Sequence, residues 1–410
     1  MLRTIYIFLI LYVLNTAAYT QNLYSLTGVI TDDKALPLPG AAVYISGYKF
    51  ATTTNTEGKF ELKNLAPGKY DILVQLTGFL PFTKNISITN KPVAMDIKLI
   101  EKTVQLDEVV IHADPERLYN INRFLKFFLG TTPNAAKCKV LNTEVLQPEY
   151  DKRTNTLKVT ANDFLIIENR ALGYKIRYLL EYFEHNYNSN QIIYLGHSTY
   201  EDMKGSASTR KKWRARREIA YLGSNEHFFR ALYNNRTKEE GFIIHKRIRI
   251  ENSARPSDSV IQSNIRREMG KNSKSATGVI TNPSDSLKYW LEMKKKPKYF
   301  HTIDQRHVNV DTLVKDAEYG YKSINFKDAL YVINTREKET DEYTNFSGLY
   351  VARPPSIKNH QISVVNIVSG PVLFSRNGNF YNPRSVLQEG IWAYEKMADT
   401  VPLDYVISTK

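Results

Sequence analysis

The sequence predicts a mainly β, α+β protein. A small antiparallel β-sandwich stands at the front, and a larger α+β region follows, built on a large antiparallel sheet with helices on one side. Three observations carry this. Apolar and polar residues alternate with period two in short runs between positions 25 and 99 and again after 139, the pattern of half-buried strands. Glycine and proline turn signals separate the early runs at the spacing of a sandwich. Tyrosine (27) and phenylalanine (18) are abundant, and aromatic side chains suit a pleated surface. At 410 residues the chain exceeds one ordinary domain, so two or three are expected. A hydrophobic content of 42% with 24% charged residues excludes wholesale disorder.

Residues 1–20 read as a secretory signal peptide. Arg3 gives a basic start, "IYIFLILYVL" is an apolar run of ten, and "NTAAYTQ" offers small residues for cleavage after Ala18 or Thr20. Such a run is too short to span a bilayer. No cysteine lies in the segment, so a lipid anchor is not expected. No later apolar stretch is long enough for a transmembrane helix.

Residues 21–105 form the expected sandwich. "KFELK" sets Phe60 and Leu62 against Lys59, Glu61 and Lys63. "YDILVQL" puts Tyr70, Ile72, Val74 and Leu76 on one face, and "VAMDIKL" does the same with Val93, Met95, Ile97 and Leu99. Gly58 in "TNTEGK" is placed to take the left-handed conformation of a tight hairpin. Pro67–Gly68 in "APGK" reads as the centre of a type II turn. "LPG" at Leu38–Gly40 opens a further strand, "AAVYIS".

Residues 106–130 read as a linker and a helix, with Asp114 as cap, Pro115 in the first turn and Gly130 at the end. Leu118, Ile121, Leu125, Phe128 and Leu129 form its expected buried stripe. Residues 131–410 read as a basic α+β domain. Strands dominate from 139 to 200. Residues 208–235 read as two helices broken near Gly223, capped by Ser208 and Ser224. "GFIIHKRIRIE" returns to a strand, and 251–285, rich in Ser, Asn, Arg and Lys, reads as a mobile insertion. After 300 come the alternating runs "LYVINTRE", "QISVVNIV", "PVLFSR" and "GIWAYEKM".

Gly28, Asp32, Pro37–Gly40, Ala41–Val43, Glu57–Phe60, Pro67–Tyr70 and Gly78–Phe79 together resemble the carboxypeptidase regulatory-like domain, a transthyretin-like sandwich. The resemblance implies a non-catalytic accessory module, common on exported proteins and frequent at the front of TonB-dependent outer-membrane receptors. "LDEVVI", Leu106–Ile111, looks like the segment that follows the module in those receptors. The remainder lacks the length and the lipid-facing alternation of their barrel, and the chain ends "DYVISTK" rather than on an aromatic residue. Four stretches of the body, among them "LIIENRALGYKIRY" and "GNFYNPRSVLQEGIWAYEKMADTVPLDY", resemble a region found behind this sandwich in other exported bacterial proteins. No function is established for that region, so no site carries over.

Charge is uneven. Residues 21–110 hold nine basic and nine acidic side chains, whereas 111–410 hold 46 and 33. A neutral module joined to a basic body favours anionic surfaces: a phosphorylated glycolipid, an acidic glycan or an acidic patch on an outer-membrane receptor or other envelope protein. Nucleic acid is not an expected partner for an exported chain. Cys138 is the single cysteine. It can form no internal disulfide and reads more simply as a small buried hydrophobe than as a nucleophile.

No catalytic motif stands out. None of the eight histidines has Glu at +3, as a metallocarboxypeptidase would need. HExxH, G-x-S-x-G and Gly-rich phosphate loops are missing. "HTIDQRH", with His301, Asp304 and His307, is the best metal candidate and reads more simply as a polar connector. His227 could act as a general base, although capping or packing explains it more simply. The densest feature is "STRKKWRARREIAYL". Arg210, Lys211, Lys212, Arg214, Arg216 and Arg217 surround Trp213, and on a helix they form a stripe able to fork onto phosphate or carboxylate. The plainer reading is a solvated helix with Trp213 in the core, and "MKKKPK" is weaker still.

The expectation is therefore an exported, non-enzymatic, envelope-associated binding or docking protein, periplasmic or outer-membrane associated, with no cofactor. A glycan-binding accessory factor is one alternative. An enzyme on cell-wall or peptide substrates is the other. A deep pocket joining His, carboxylate and Arg groups would mark the enzyme, a flat aromatic platform the glycan binder, and an exposed apolar patch or free sheet edge on the sandwich the docking protein.

Overall fold

The structure is a computed structural model, and it describes residues 23–102, 114–272, 284–345 and 351–407. The expected leader, the "LDEVVI" segment and the 273–283 part of the expected insertion lie outside the described residues.

The front module is a β-sandwich. Its strands are β1 (Tyr24–Thr31), β2 (Ala42–Ile45), β3 (Ala51–Thr53), β4 (Lys59–Leu65), β5 (Gly68–Gln75), β6 (Phe82–Ile88), β7 (Val93–Ala94) and β8 (Ile97–Lys98). One sheet has the order β4-β1-β7 with β8 also on β1, and the other has the order β3-β2-β5-β6. Pairing is antiparallel except that β7 and β8 run parallel to β1. The alternating faces meet in a core of Leu26, Ile30, Val43, Phe60, Leu62, Ile72 and Val74. Burying each such side chain contributes about 1.5–3 kcal/mol. Gly58 has φ +69° and lies so close to Ile30 that a Cβ would sit 2.6 Å from its carbonyl oxygen. The Pro67–Gly68 turn forms differently from its sequence expectation. Gly68 pairs with Ile88 at the start of β5, and the positive φ falls on Asn64 instead.

The body follows with α1 (Pro115–Leu129), β9 (Cys138–Val140), β10 (Leu146–Asp151), β11 (Thr156–Ala161), β12 (Leu165–Asn169), β13 (Tyr174–Asn186), β14 (Gln191–Asp202), α2 (Ala207–Tyr221) and α3 (Asn225–Tyr233). Next come β15 (Phe242–Glu251), α4 (Asp258–Asn272), α5 (Asp285–Lys295), β16 (Tyr299–Asp304), β17 (Val314–Asp316), β18 (Lys322–Ile324) and β19 (Ala329–Asn334). The last elements are α6 (Asp341–Thr344), β20 (Gln361–Ile367), β21 (Val372–Phe374), β22 (Val386–Gly390) and α7 (Ile391–Tyr394). The class is the expected mixture of β and α+β. The body strands are divided among a six-stranded, a five-stranded and a three-stranded sheet rather than gathered into one.

Helix α1 begins and ends as its sequence predicts. Asp114 accepts the Glu116 N–H at 2.9 Å, and Gly130 closes it at φ +98°. Its buried face is rotated from the expected stripe, because Phe124 and Phe128 stack at 5.0 Å and meet Phe183 and Tyr178 of β13 edge-on. That docking leaves Leu118 exposed. The cap of α2 is Ser206, which accepts the Thr209 N–H. Ser208 falls two residues too late, inside the first turn, and bonds the Ser206 hydroxyl instead. Ser224 caps α3 as predicted. Much of 251–285 is the ordered helix α4, anchored by Ile261 in the core. Its polar composition marks a solvated helical face rather than a structureless insertion.

"GIWAYEKM" does not continue as a strand. Gly390 turns the chain at φ +79°, pressed so closely on β20 that a Cβ would meet the Ile362 oxygen at 2.3 Å. One helical turn follows. Trp392 locks it by donating its indole N–H to the Gly223 carbonyl at 2.7 Å and its backbone N–H to the Ser363 hydroxyl at 3.2 Å. The segment beyond then crosses to the six-stranded sheet. Asn169 donates to the Ala398 carbonyl at 2.8 Å, while Thr132 and Asn134 both donate to Asp399 at 2.9 Å.

Candidate binding cavity

The sandwich is fastened to the body at the turn after β2. The Gly47 N–H donates to the Ser198 carbonyl at 2.6 Å, and the Leu403 N–H donates to the Gly47 carbonyl at 2.7 Å. Lys49 pairs with Asp202 at 2.8 Å. Asn377 donates to the Tyr48 hydroxyl. Gly47 has φ +83°, and a Cβ there would sit 2.5 Å from Leu403, so only glycine suits this close approach.

Behind this junction lies a cavity of about 630 Å³, within the range of small-ligand sites. Its walls are the Ser46–Gly47 turn, the middle of β14, the start of α3, the 379–388 segment and the chain from Trp392 to Val401. Aromatic walls come from Tyr178, Tyr194, Tyr200 and Trp392, and carboxyl groups from Glu181, Glu226, Glu395 and Asp399. Burial raises the phenols of Tyr178, Tyr194 and Tyr200, keeping them neutral donors.

The groups after α7 are the most perturbed. Burial pushes Glu395 well above the usual carboxylate range, and the nearby negative charges of Asp399, Glu337 and Glu226 push it further. Burial lifts Asp399 to about 6 against the pull of its Asn134 and Thr132 bonds. Glu337, outside the lining, is raised by burial to about 7. Burial alone lowers Lys396 to about 8. Glu395 and Lys396 are chain neighbours, yet both have extended backbone. Successive side chains on such backbone point apart, and no ion pair joins these two among the described residues. Clusters of perturbed groups in a cleft mark functional-site candidates.

A second group bridges the junction. His197 lies 2.9 Å from Glu181 through Nε2 and 3.1 Å from the Ser46 hydroxyl through Nδ1. The chain of contacts has the members of a nucleophilic triad. The three backbone amides around the serine, however, are already used. The Ser46 N–H donates to Asp71, that of Gly47 to Ser198 and that of Tyr48 to Ile45. An acyl-transfer site needs free anion-stabilising donors. Here the trio serves as part of the fastening between sandwich and body.

The basic stripe lies elsewhere, on α2. Trp213 is buried in a slot that exists because Gly173 and Gly205 carry no side chain: a Cβ on Gly173 would lie 2.1 Å from the indole. Its N–H donates to the Arg170 carbonyl at 3.1 Å. Arg217 donates to the Leu172 and Gly173 carbonyls, pairs with Asp202 at 2.8 Å and lies 3.8 Å over the Tyr174 ring. Arg216 donates to the Ala171 carbonyl, and Arg210 to that of Gly205. The exposed face brings together Arg210, Lys211 and Arg214, with Lys212 also exposed. Trp213, Arg216 and Arg217 belong to the packing of the 170–173 loop.

The other candidates are structural. Burial pushes the half-buried Cys138 thiol up to about 12, so it is not a thiolate near neutral pH. His227 is buried. Its Nδ1 accepts the Gly223 N–H at 3.0 Å and its Nε2 faces Glu240 at 3.4 Å, and burial lowers its pKa despite that carboxylate. Arg306 grips the Asp304 carboxylate and holds it down at about 2. His307 packs on the His245 ring at 4.9 Å. Among the described residues no cluster of three or more His, Cys, Asp or Glu could hold a metal ion.

No sequence motif pointed to Glu226, Glu395, Lys396 or Asp399. The one signal was "EKMAD", a charged run following the apolar "IWAY". Its burial depends on contacts with residues 132, 134 and 169.

Residues 26–111 match the family model described as CarboxypepD_reg-like domain. The front module is thus similar to a family of β-sandwich domains, which is the coarse basis for a binding or docking role. No curated protein sequence matches the chain. Solved structures share only partial likeness. A cohesin–X-dockerin complex from Acetivibrio cellulolyticus matches at 24% identity over 18% of this chain and 56% of its own, with a TM-score of 0.17. Catechol 1,2-dioxygenase from Acinetobacter sp. ADP1 matches at 13% identity over 24% and 59%, with a TM-score of 0.19. The minor pilin GBS52 from Streptococcus agalactiae matches at 13% over 20% and 46%, with a TM-score of 0.18. This chain thus spans 46–59% of the length of these structures, and scores at this level carry no argument about what it does.

Proposed function

We propose that this is an exported, envelope-associated, non-enzymatic binding protein in which the regulatory-like sandwich, fastened to the body, completes a cavity for a small ligand. One observation carries this reading. The fastening residues Ser46 and Gly47 are themselves walls of the cavity, so the module common on exported proteins here helps build a binding site. The basic apolar leader at residues 1–20 supports export. The pocket does join His, carboxylate and Arg groups, the mark set for an enzyme. Yet the backbone amides around its serine are already used and the lone thiol stays protonated, so binding is favoured over turnover.

The test is native mass spectrometry of the whole protein purified gently from envelopes. The expected result is a bound species of a few hundred daltons, in keeping with the cavity volume. It should be lost in Gly47→Val, which forces Leu403 away. Turnover of an offered glycan or peptide by the wild type, abolished by Ser46→Ala, would overturn the reading.

A glycan-binding accessory role is the second reading. It is favoured by an aromatic rim at the same junction, where Tyr319 and Tyr381 flank Lys69 at 4.9 and 4.6 Å and Tyr321 meets Tyr381 edge-on.

A further inference from the structure

The charges that face the cavity are unequally provided for. Glu181 has His197 at 2.9 Å. Asp71 accepts from Asn85 at 2.9 Å. Asp399 accepts from Thr132 and Asn134. Arg384 lies over the Tyr182 ring at 5.3 Å and is exposed. Lys396 packs its stem on Gly130. Glu395 stands apart. It lines the cavity, and no described residue hydrogen-bonds or ion-pairs its carboxyl group. Glu226, a second carboxylate of the lining, has no ion pair among the described residues either. Glu395 is half-buried; a carboxyl partly withdrawn from water with no partner is costly to ionise, and a cation entering the cavity would offset that cost.

Among cations, an organic one fits best. A metal would need three or more converging ligands, and no such group exists among the described residues. The rings of Trp392, Tyr178, Tyr194 and Tyr200 line the same space, and aromatic faces attract ammonium groups. We infer that the cavity holds a ligand bearing an amine, whose ammonium group ion-pairs with Glu395, with Glu226 as second carboxylate and the aromatic rings around it.

This deepens the binding reading and rests on it. It has a consequence in protons. Burial and the negative charges of Asp399, Glu337 and Glu226 raise the Glu395 pKa and so favour its protonated form, while Lys396, its cationic chain neighbour, points away. An arriving ammonium ion makes the ionised form favourable, so binding should release the Glu395 proton.

The amine could belong to an amino sugar or to a peptide terminus. The experiment is isothermal titration of the whole protein at pH 7 in buffers of different ionisation enthalpy. The probes are the glucosamine dimer and dialanine, each beside its N-acetylated twin. The expected result is that one free amine binds about tenfold or more tighter than its twin, consistent with loss of a charged hydrogen bond. Its binding should be accompanied by proton release. Which arm responds identifies the source. In Glu395→Gln the preference and the proton release should both vanish while the melting temperature at acid pH is kept. Glu226→Gln should weaken the preference without abolishing it. Equal binding of the twins, no binding of either amine, or a preference that survives Glu395→Gln overturns the inference. If the amines fail while native mass spectrometry still shows another bound species, the binding reading stands. Turnover of a probe would sink that reading instead.

Discussion

Two charge-rich segments of this protein teach opposite lessons. The helix from Arg210 to Arg217 advertises itself in sequence, six basic residues around a tryptophan. In the fold its most buried members are already engaged. Arg216 and Arg217 hold the carbonyls of the 171–173 loop, and Trp213 fills a glycine-lined slot. The segment from Glu395 to Asp399 is brief and unremarked in sequence, yet it sets unpaired ionisable groups against a cavity. Charge density along a chain reports how many groups there are. Whether they are available depends on which carbonyls and carboxylates the fold brings to them.

The comparison can be broken most severely at Trp213. Replacing it by Ala removes a buried ring and an indole hydrogen bond, and should cost about 3–5 kcal/mol, read as a lower urea midpoint. If Trp213 serves ligand binding rather than packing, stability will stay near wild type and affinity for an anionic glycan will fall instead.

The next effect is on the other segment, and it is a pH slope. Glu395, Glu337 and Asp399 have folded pKa values raised above their ordinary carboxylate values. The folded state therefore binds more protons than the unfolded state between about pH 4 and 7, and stability should fall as pH rises through that window. Lys396, lowered to about 8, adds no slope below that pH. For Asp399 alone the loss is a few kcal/mol. Urea midpoints at pH 4.5, 6 and 7.5 would show it, and Glu395→Gln should flatten the decline without removing it. A flat profile in the wild type would mean that these groups are solvated and the cavity open.

A smaller change is expected at the fastening. Gly47→Ala forces a side chain into the left-handed region and against Leu403, costing about 1–2 kcal/mol. Limited proteolysis should then cut sooner between sandwich and body. The smallest effect sharpens the comparison from the exposed side. Lys211→Glu together with Arg214→Glu should change stability by no more than about 0.5 kcal/mol. Any loss of affinity for anionic lipid vesicles in sedimentation would assign these two residues a surface role separate from the packing role of their neighbours.

Much of the architecture was legible because it is locally encoded. The alternation of Phe60 with Lys59 and Glu61, the Gly58 hairpin, the Asp114 and Ser224 caps and the stop at Gly130 each need only a few adjacent residues. The errors arose where a partner outside the segment decided the outcome. Phe183 and Tyr178 rotate α1 away from the Leu118 stripe, Ile88 draws Gly68 into a strand, and β20 presses on Gly390 and ends the "GIWAYEKM" strand.

The sequence by itself determined the strands of the front module, the family pattern they carry, the first helix and the uneven charge. Only the tertiary structure decided where a ligand could bind. The cavity is walled by residues from positions 46 to 403, and the state of Glu395 depends on Glu226, Glu337 and Asp399 brought near it. Burial and the field of neighbouring charges are set by what surrounds a group in space, and no short window of sequence contains those surroundings.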